Sequence, residues 1–384
     1  MHGTDHGPQL EQWVSARRPY LDNLKVLLIA AIIALHAVLG YASIAEVWTY
    51  AEYREATLAM ATQVLLFVLV GPFAFFLIAL LFLVAGLLTP ASLQRKGASR
   101  FIRERLLRLG LPFVVYVLLV QPTLNYALRH YLGAAPGSYW SQYLSTGRLD
   151  TGPLWFVGVL LVFSVGHAAW RSWRTRPSKD RGPITLRTLM LVAVIVAPAS
   201  FAVRLVYRYG SESGVTDLNF WEWPACIAVF ALGVRAARHG WAVAVPEQLA
   251  RQCRTITLLA ALATMIMIAG LSGNVVDAAG GWHWAAAGFA VTDAVLTVFG
   301  SIWLLGVAQR RLGRQYRWGS YLSRSAYGAF MLQSLFLLGF AAALRPIGLP
   351  AELKALAVAT AAVSCSFAVA WLMIRHVPGF SRVL

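Results

Sequence analysis

Ten times along its length this chain runs apolar for about twenty residues, the length that crosses a hydrocarbon core roughly 30 Å thick. Inside lipid every backbone N–H and C=O must be bonded within the spanning structure, which leaves helices or a closed barrel. A barrel strand needs only about ten residues, so segments of this length are read as helices. They fall at 21–44, 62–88, 109–130, 153–173, 186–207, 221–239, 255–273, 284–307, 321–343 and 352–374. Glu222 and Pro224 make the start of the sixth the least regular of the set. Composition agrees: 13% of residues are charged, about half the ~25% of a soluble domain. The expected fold class is all-α, a polytopic integral membrane protein. The first segment follows a polar stretch with no small-residue cleavage site, so it is expected to stay as a helix.

The formal charge of +17 is concentrated. Arginine and lysine crowd the connections 89–108, 171–187, 235–254 and 308–324. Most of the acid, including Glu46, Glu52, Glu55, Asp150, Asp217 and Glu352, lies in the alternate connections. The positive-inside rule then puts both termini in the cytoplasm. Three parts are expected: a mobile N-terminus over 1–20, a ten-helix domain over 21–375 and a short C-terminus over 376–384. The expected location is the plasma or inner membrane. Such a basic charge in a soluble chain would suggest nucleic acid. Here topology and attraction to anionic lipid account for it, so lipid and no nucleic acid is expected as partner, with self-association left open. Cys226, Cys253 and Cys365 show no metal or redox spacing. Cys253 is placed in a cytoplasmic connection, where disulfides are rare, and no metal is expected.

Chemistry inside a membrane is legible because polar groups there are costly and usually functional. His36 sits within the first segment, eleven positions after Lys25. Eleven steps make close to three helical turns, so both side chains lie on nearly one face, roughly 16 Å apart along the axis. A neutral imidazole can act as a base on a hydroxyl or attack an acyl carbonyl itself; it can also serve as a packing group bonded to a neighbouring helix. Lys25 can equally be a snorkelling anchor, and Asp22 can pair with it or cap the helix. Arg105 and Arg108 share a face three positions apart. Two guanidiniums at the membrane surface make a phosphate clamp, or simply a topology signal. Trp155, in Gly152-Pro-Leu-Trp155, is an interface anchor or a substrate contact. Asp293 needs a partner in its apolar segment: a histidine to orient or an arginine to pair with. Gln333 is interhelical glue or part of the site. Gln121, Asn125 and Arg129 recur every four residues as one polar stripe toward the outer face. Tyr139, Trp140 and Tyr143, in the loop over 131–152, form an interfacial belt or a platform for a sugar ring.

Taken together, these residues resemble the membrane acyltransferase-3 family, which includes O-antigen and polysaccharide acetyltransferases and glucan succinyltransferase-like proteins. The resemblance covers roughly 18–384. It is carried by Arg18-Pro-Tyr-Leu-Asp-Asn-Leu-Lys25 leading to His36, by Arg105-Leu-Leu-Arg108 with Pro112, by Leu154-Trp-Phe-Val157, by Ser323-Arg-Ser-Ala-Tyr327 and by Pro378 to Leu384. It implies acyl transfer from acyl-CoA, acetyl-CoA above all, to a hydroxyl of a glycan or lipid-linked acceptor. His36 then carries over as catalytic, with Lys25, Arg105 and Arg108 near the CoA phosphates. Asp293 is the candidate orienting carboxylate, and Trp155, Gln333 and Asn125 are candidate acceptor contacts. Two positions depart from the family pattern: Ala85 stands where a serine is common, and Gln333 where many members have histidine. The rival reading from the residues is a multi-pass transporter or flippase for a glycolipid or small solute.

Overall fold

The ten apolar segments form ten helices. In the computed structural model the residues described are 18–43, 50, 54–133, 137–141, 149–173, 182–210, 217–271 and 276–380. The helices are α1 (Pro19–Tyr41), α2 (Met60–Lys96), α3 (Ala98–Tyr131), α4 (Gly152–Trp173), α5 (Leu186–Arg204), α6 (Phe220–Arg238), α7 (Glu247–Gly270), α8 (Trp284–Arg311), α9 (Gly319–Leu344) and α10 (Ala351–His376). There is no β-sheet among the described residues. Of the expected termini 1–20 and 376–384, residues 1–17 and 381–384 lie outside them, as does Tyr143.

Several helices exceed their hydropathic segments. α3 begins at Ala98 and α7 at Glu247, because arginine and glutamate are good helix formers that a hydropathy reading does not count. Cys253 therefore lies buried within α7, not in a connection. Gly97 alone separates α2 from α3, at a φ of 72° open chiefly to glycine. The irregular start of α6 resolves as a turn of 3-10 helix over Phe220–Glu222, with Pro224 in the first helical turn, where a missing N–H costs nothing.

The lateral surface is apolar, with Ile195, Val206, Leu259 and Ile266 all exposed, as a lipid-facing surface requires. Exposed tryptophans mark both rims: Trp140, Trp282 and Trp284 at one end, Trp170, Trp173 and Trp318 at the other. The second end gathers the basic connections. There Arg18 donates to Ala242 O at 3.0 Å, and Asn23 donates to Leu312 O at 2.7 Å and Arg314 O at 2.8 Å. Asn23 thus ties the α8–α9 connection and does not cap its own helix. The positive-inside rule assigns this end to the cytoplasm.

Two interfaces hold the bundle. α2 and α6 cross closely at Gly86 and Gly233: an added Cβ would come within 2.2 Å of Phe230 O or of Leu83 O. Without a hydrophobic drive between helices in lipid, such small-residue contacts supply packing. The other is the group α1, α9 and α10, where α1 packs on both partners. A strap over 54–59 closes its outer end. Glu55 accepts from Lys354 Nζ at 2.7 Å and from the Tyr50 hydroxyl at 2.6 Å. Burial opposes the Glu55 charge, but these two bonds outweigh it and hold the carboxyl below its ordinary value near 4.5.

Gly233→Ala should cost about 1–3 kcal/mol from overpacking, read as a lower Tm, whereas Gly339→Ala, whose Cβ meets nothing within 4 Å, should not. The strap carries a pH signature. A depressed Glu55 pKa contributes stability that is present above pH 4.5 and lost as pH falls below it. Glu55→Gln should flatten the acid limb of the Tm–pH curve.

Candidate active site

The polar residues of α1 face α9 at two levels. At the cytoplasmic end Asp22 accepts from Ser323 Oγ at 2.6 Å and pairs with Lys25 at 3.3 Å. Deeper in, His36 Nδ1 lies 3.0 Å from Gln333 Oε1. These contacts sit fourteen residues apart on α1 and ten on α9, so one parallel helix pair carries both. α1 ends at Tyr41, which puts His36 roughly 7–8 Å below its outer end. The histidine thus lies in the outer half of α1.

The orientation of the Gln333 amide settles the protonation pattern of the ring. Gln333 Nε2 donates to Phe330 O at 2.9 Å, and a carbonyl only accepts. Oε1 therefore faces the imidazole, and an amide oxygen also only accepts, so Nδ1 must donate. The neutral tautomer held in this way carries its lone pair on Nε2. Gln333 is fully buried, so the cost of an unmade bond keeps it in place.

Arg105 and Arg108 sit on the cytoplasmic part of α3. Arg105 is half-buried with its guanidinium 5.1 Å from the Phe101 ring centroid. Arg108 is exposed, and its carbonyl accepts from the Tyr327 hydroxyl at 2.9 Å. A π turn over Leu106–Gly110 separates them. The wider turn spreads the two side chains apart from the shared face an α-helix would give. The adjacent Glu104 is occupied by Lys96 and by Arg100 at 3.3 Å. Among the described residues no carboxylate lies in salt-bridge range of either Arg105 or Arg108. Ser323 and Tyr327, one turn apart on α9, thus connect the Asp22–Lys25 pair to this cation pair.

The predicted polar stripe meets the α3–α4 loop. Gln121 Nε2 and Asn125 Nδ2 both donate to Asp150 Oδ2 at 2.8 Å. Gly152 N donates to Asp150 Oδ1 at 2.7 Å. Gly152 has a φ of 47°, and a Cβ there would meet Gln121 Oε1 at 2.9 Å. The Tyr116 hydroxyl is 2.6 Å from both Gln121 Oε1 and Ser334 Oγ. Asp150, Tyr116 and Ser334 were not singled out from sequence; the signals were an acid two residues before Gly152 and a serine directly after Gln333. Trp155 lies beside this loop, its Nε1 3.0 Å from the Asn219 side-chain oxygen once that amide is turned to suit Asp217.

Asp293 is elsewhere. Of its two open partners the structure supplies the arginine: Arg204 Nη2 donates to Asp293 Oδ2 at 2.6 Å, with both side chains 1% exposed. The guanidinium is flanked by the Tyr209 and Phe289 rings at 5.1 and 5.2 Å. The geometry brings Asp293 to the α5–α8 interface, where its partner is Arg204 and not His36. Among the described residues no group of three or more His, Cys, Asp or Glu side chains could hold a metal ion.

A family profile described as an acyltransferase domain, that of the acyltransferase-3 family, matches residues 18–375. The chain belongs to the acyltransferase-3 family. It is a multi-pass membrane acyltransferase. No curated protein and no solved structure matched it. Within this family member, three of the five segments that carried the resemblance meet: α9 contacts the α1 motif through Ser323 and the α3 motif through Tyr327, and its departure from the pattern, Gln333, contacts His36. Ala85, where a serine is common, precedes the Gly86 that lets α2 meet α6.

Asp293→Ala should destabilise the acyltransferase by about 3–5 kcal/mol, because it strands a buried guanidinium. The double variant Arg204→Met/Asp293→Leu should recover both folded yield and turnover. A stable but inactive double variant would return Asp293 to the reacting centre.

Proposed function

We propose that the protein moves an acyl group, acetyl or succinyl in type, from cytoplasmic acyl-CoA to a hydroxyl of a glycan or lipid-linked acceptor. The observation that carries this reading is the His36–Gln333 bond, which directs the basic Nε2 away from α9. In the proposed step Nε2 takes the acceptor hydroxyl proton as the oxygen attacks the thioester carbonyl. The new ester C–O bond forms, the C–S bond breaks, and the CoA thiolate leaves to collect the proton from the imidazolium. An acyl-imidazole path uses the same lone pair and reaches the same products in two transfers.

The donor end follows from charge. CoA brings phosphates that cannot enter hydrocarbon, and Arg105 and Arg108 offer two guanidiniums on the cytoplasmic part of α3, with no carboxylate in salt-bridge range among the described residues. Lys25 is half-exposed beside Asp22 and adds a third cation at the same rim. His36 stands roughly 16 Å deeper than Lys25 along α1, a separation suited to a charged head at the surface and a thioester carried inward on a slim arm. The depth of His36 near the outer end of α1 supports an acceptor that arrives from outside. A plasma or inner membrane location fits such an acceptor.

The test is acetyl-CoA turnover by the purified protein in lipid nanodiscs. His36→Ala should lower kcat by about 10²–10⁴-fold. Gln333→Leu should lower it by roughly tenfold or more, as the ring loses its fixed tautomer. Unchanged turnover in His36→Ala would sink the assignment. Glycolipid movement across the bilayer without acyl-CoA consumption would place the activity with flippases instead.

A further inference from the structure

We infer that Asp150, held by Gln121 and Asn125 at the outer end of α3, is the floor of a subsite for sugar hydroxyls, and that it presents the acceptor to His36. This rests on the acyl-transfer reading above and names the residues of its acceptor half.

The first argument is charge. Asp150 is half-buried and receives three donors: two amides on Oδ2 and one backbone N–H on Oδ1. No cation is in salt-bridge range of it among the described residues. A carboxylate accepts about four hydrogen bonds, and the described residues supply three of them. Buried carboxylates that tie helices here carry a cationic partner, as Asp293 does with Arg204, whereas the partners of Asp150 among the described residues are neutral amides. A carboxylate in such surroundings serves best where it bonds a neutral polyol, whose hydroxyls donate strongly to carboxylates.

The second argument is construction. Gly152 brings its backbone against Gln121 so closely that any side chain would displace the amide. The buried Tyr116 hydroxyl continues the chain of bonds to Ser334, and the next residue of α9 toward the cytoplasm is Gln333, the partner of His36. From Tyr116 to Asn125 the network climbs roughly 13 Å along α3. It begins near the depth of the histidine and ends at the outer rim.

The third is the wall. Tyr126 follows Asn125 directly and sits edge-on to Tyr139 at 5.3 Å, which in turn is edge-on to the exposed Trp140 at 5.2 Å. An aromatic cluster at the same outer end of α3 as a carboxylate and two amides matches the makings of a sugar site, since a sugar has an apolar ring face and a polar edge. The chemical class is a neutral hydroxylated sugar on a lipid or glycan chain.

The test uses full-length protein in nanodiscs, with acetyl-CoA as donor and dodecyl maltoside as glycolipid probe. Kinetics give the KM of each substrate. Intrinsic tryptophan fluorescence gives probe binding to His36→Ala protein, independent of turnover. Asp150→Asn should raise the acceptor KM roughly ten- to a hundredfold, the loss of one charge-assisted bond, with the acetyl-CoA KM changing less than twofold. Trp140→Ala is exposed, so it folds even if Asp150→Asn does not; it should raise the same KM by about tenfold. Trp282→Ala, an exposed aromatic at the same rim, should change neither constant. An acceptor KM unmoved by both variants overturns the subsite, as does absence of probe binding to His36→Ala protein. Binding weakened by Asp150→Asn in a protein that consumes no acetyl-CoA overturns the donor reading and leaves the subsite standing.

Discussion

The reactive geometry depends on one buried amide. Gln333 is committed on one side to its own helix, through Phe330 O, and on the other to His36. Water would let that amide rotate freely among partners; hydrocarbon does not, because each unmade bond there is costly. The same bond fixes which nitrogen is basic and joins α1 to α9. A histidine at this position could serve as donor or acceptor and would leave the tautomer open. A glutamine with its nitrogen already engaged leaves one arrangement. The departure from the family pattern at Gln333 therefore simplifies the protonation state of the site.

Much of this was readable in the chain. Ten spans, their alternating charge, and the pairing of Lys25 and His36 on one face all follow from hydropathy, the positive-inside rule and helical periodicity. Helix ends were less legible, because the polar first turns of α3 and α7 continue a helix that hydropathy stops counting. Partner choice was the least legible. Asp293 announced a buried charge, but its arginine lies 89 positions away on another helix. Asp150 looked like one more outer acid, and its bonds to Gln121 and Asn125 reach across to another helix. Periodicity describes a face of one helix and says nothing of what lies across from it.

The molecule separates two uses of buried polarity. The Arg204–Asp293 pair is buried between aromatic rings, with Glu222 close enough to interact with both, and ties α5 to α8. The groups around α9 are instead arranged in series, from Ser323 and Tyr327 at the cytoplasmic rim through Gln333 to Ser334. A closed pair gives stability and a fixed interface. An open series gives a route of polar contacts through an otherwise apolar bundle.

α3 contains two π turns, Leu106–Gly110 and Tyr116–Val120, between its cation pair and its polar stripe. Each π turn accommodates one residue more than an α turn would. One residue corresponds to about 100° of rotation in a helix. The inner and outer halves of α3 are therefore phased independently, like two keys cut on one shaft. A one-residue deletion at either bulge would leave a longer uninterrupted α-helix with better backbone geometry. It would also leave Gln121 and Asn125 in their present register with Arg105, because each bulge absorbs one extra residue. With no deletion, a regular α-helix would turn them by about 100° per bulge. At this chain length, regularity and alignment of the two ends are incompatible.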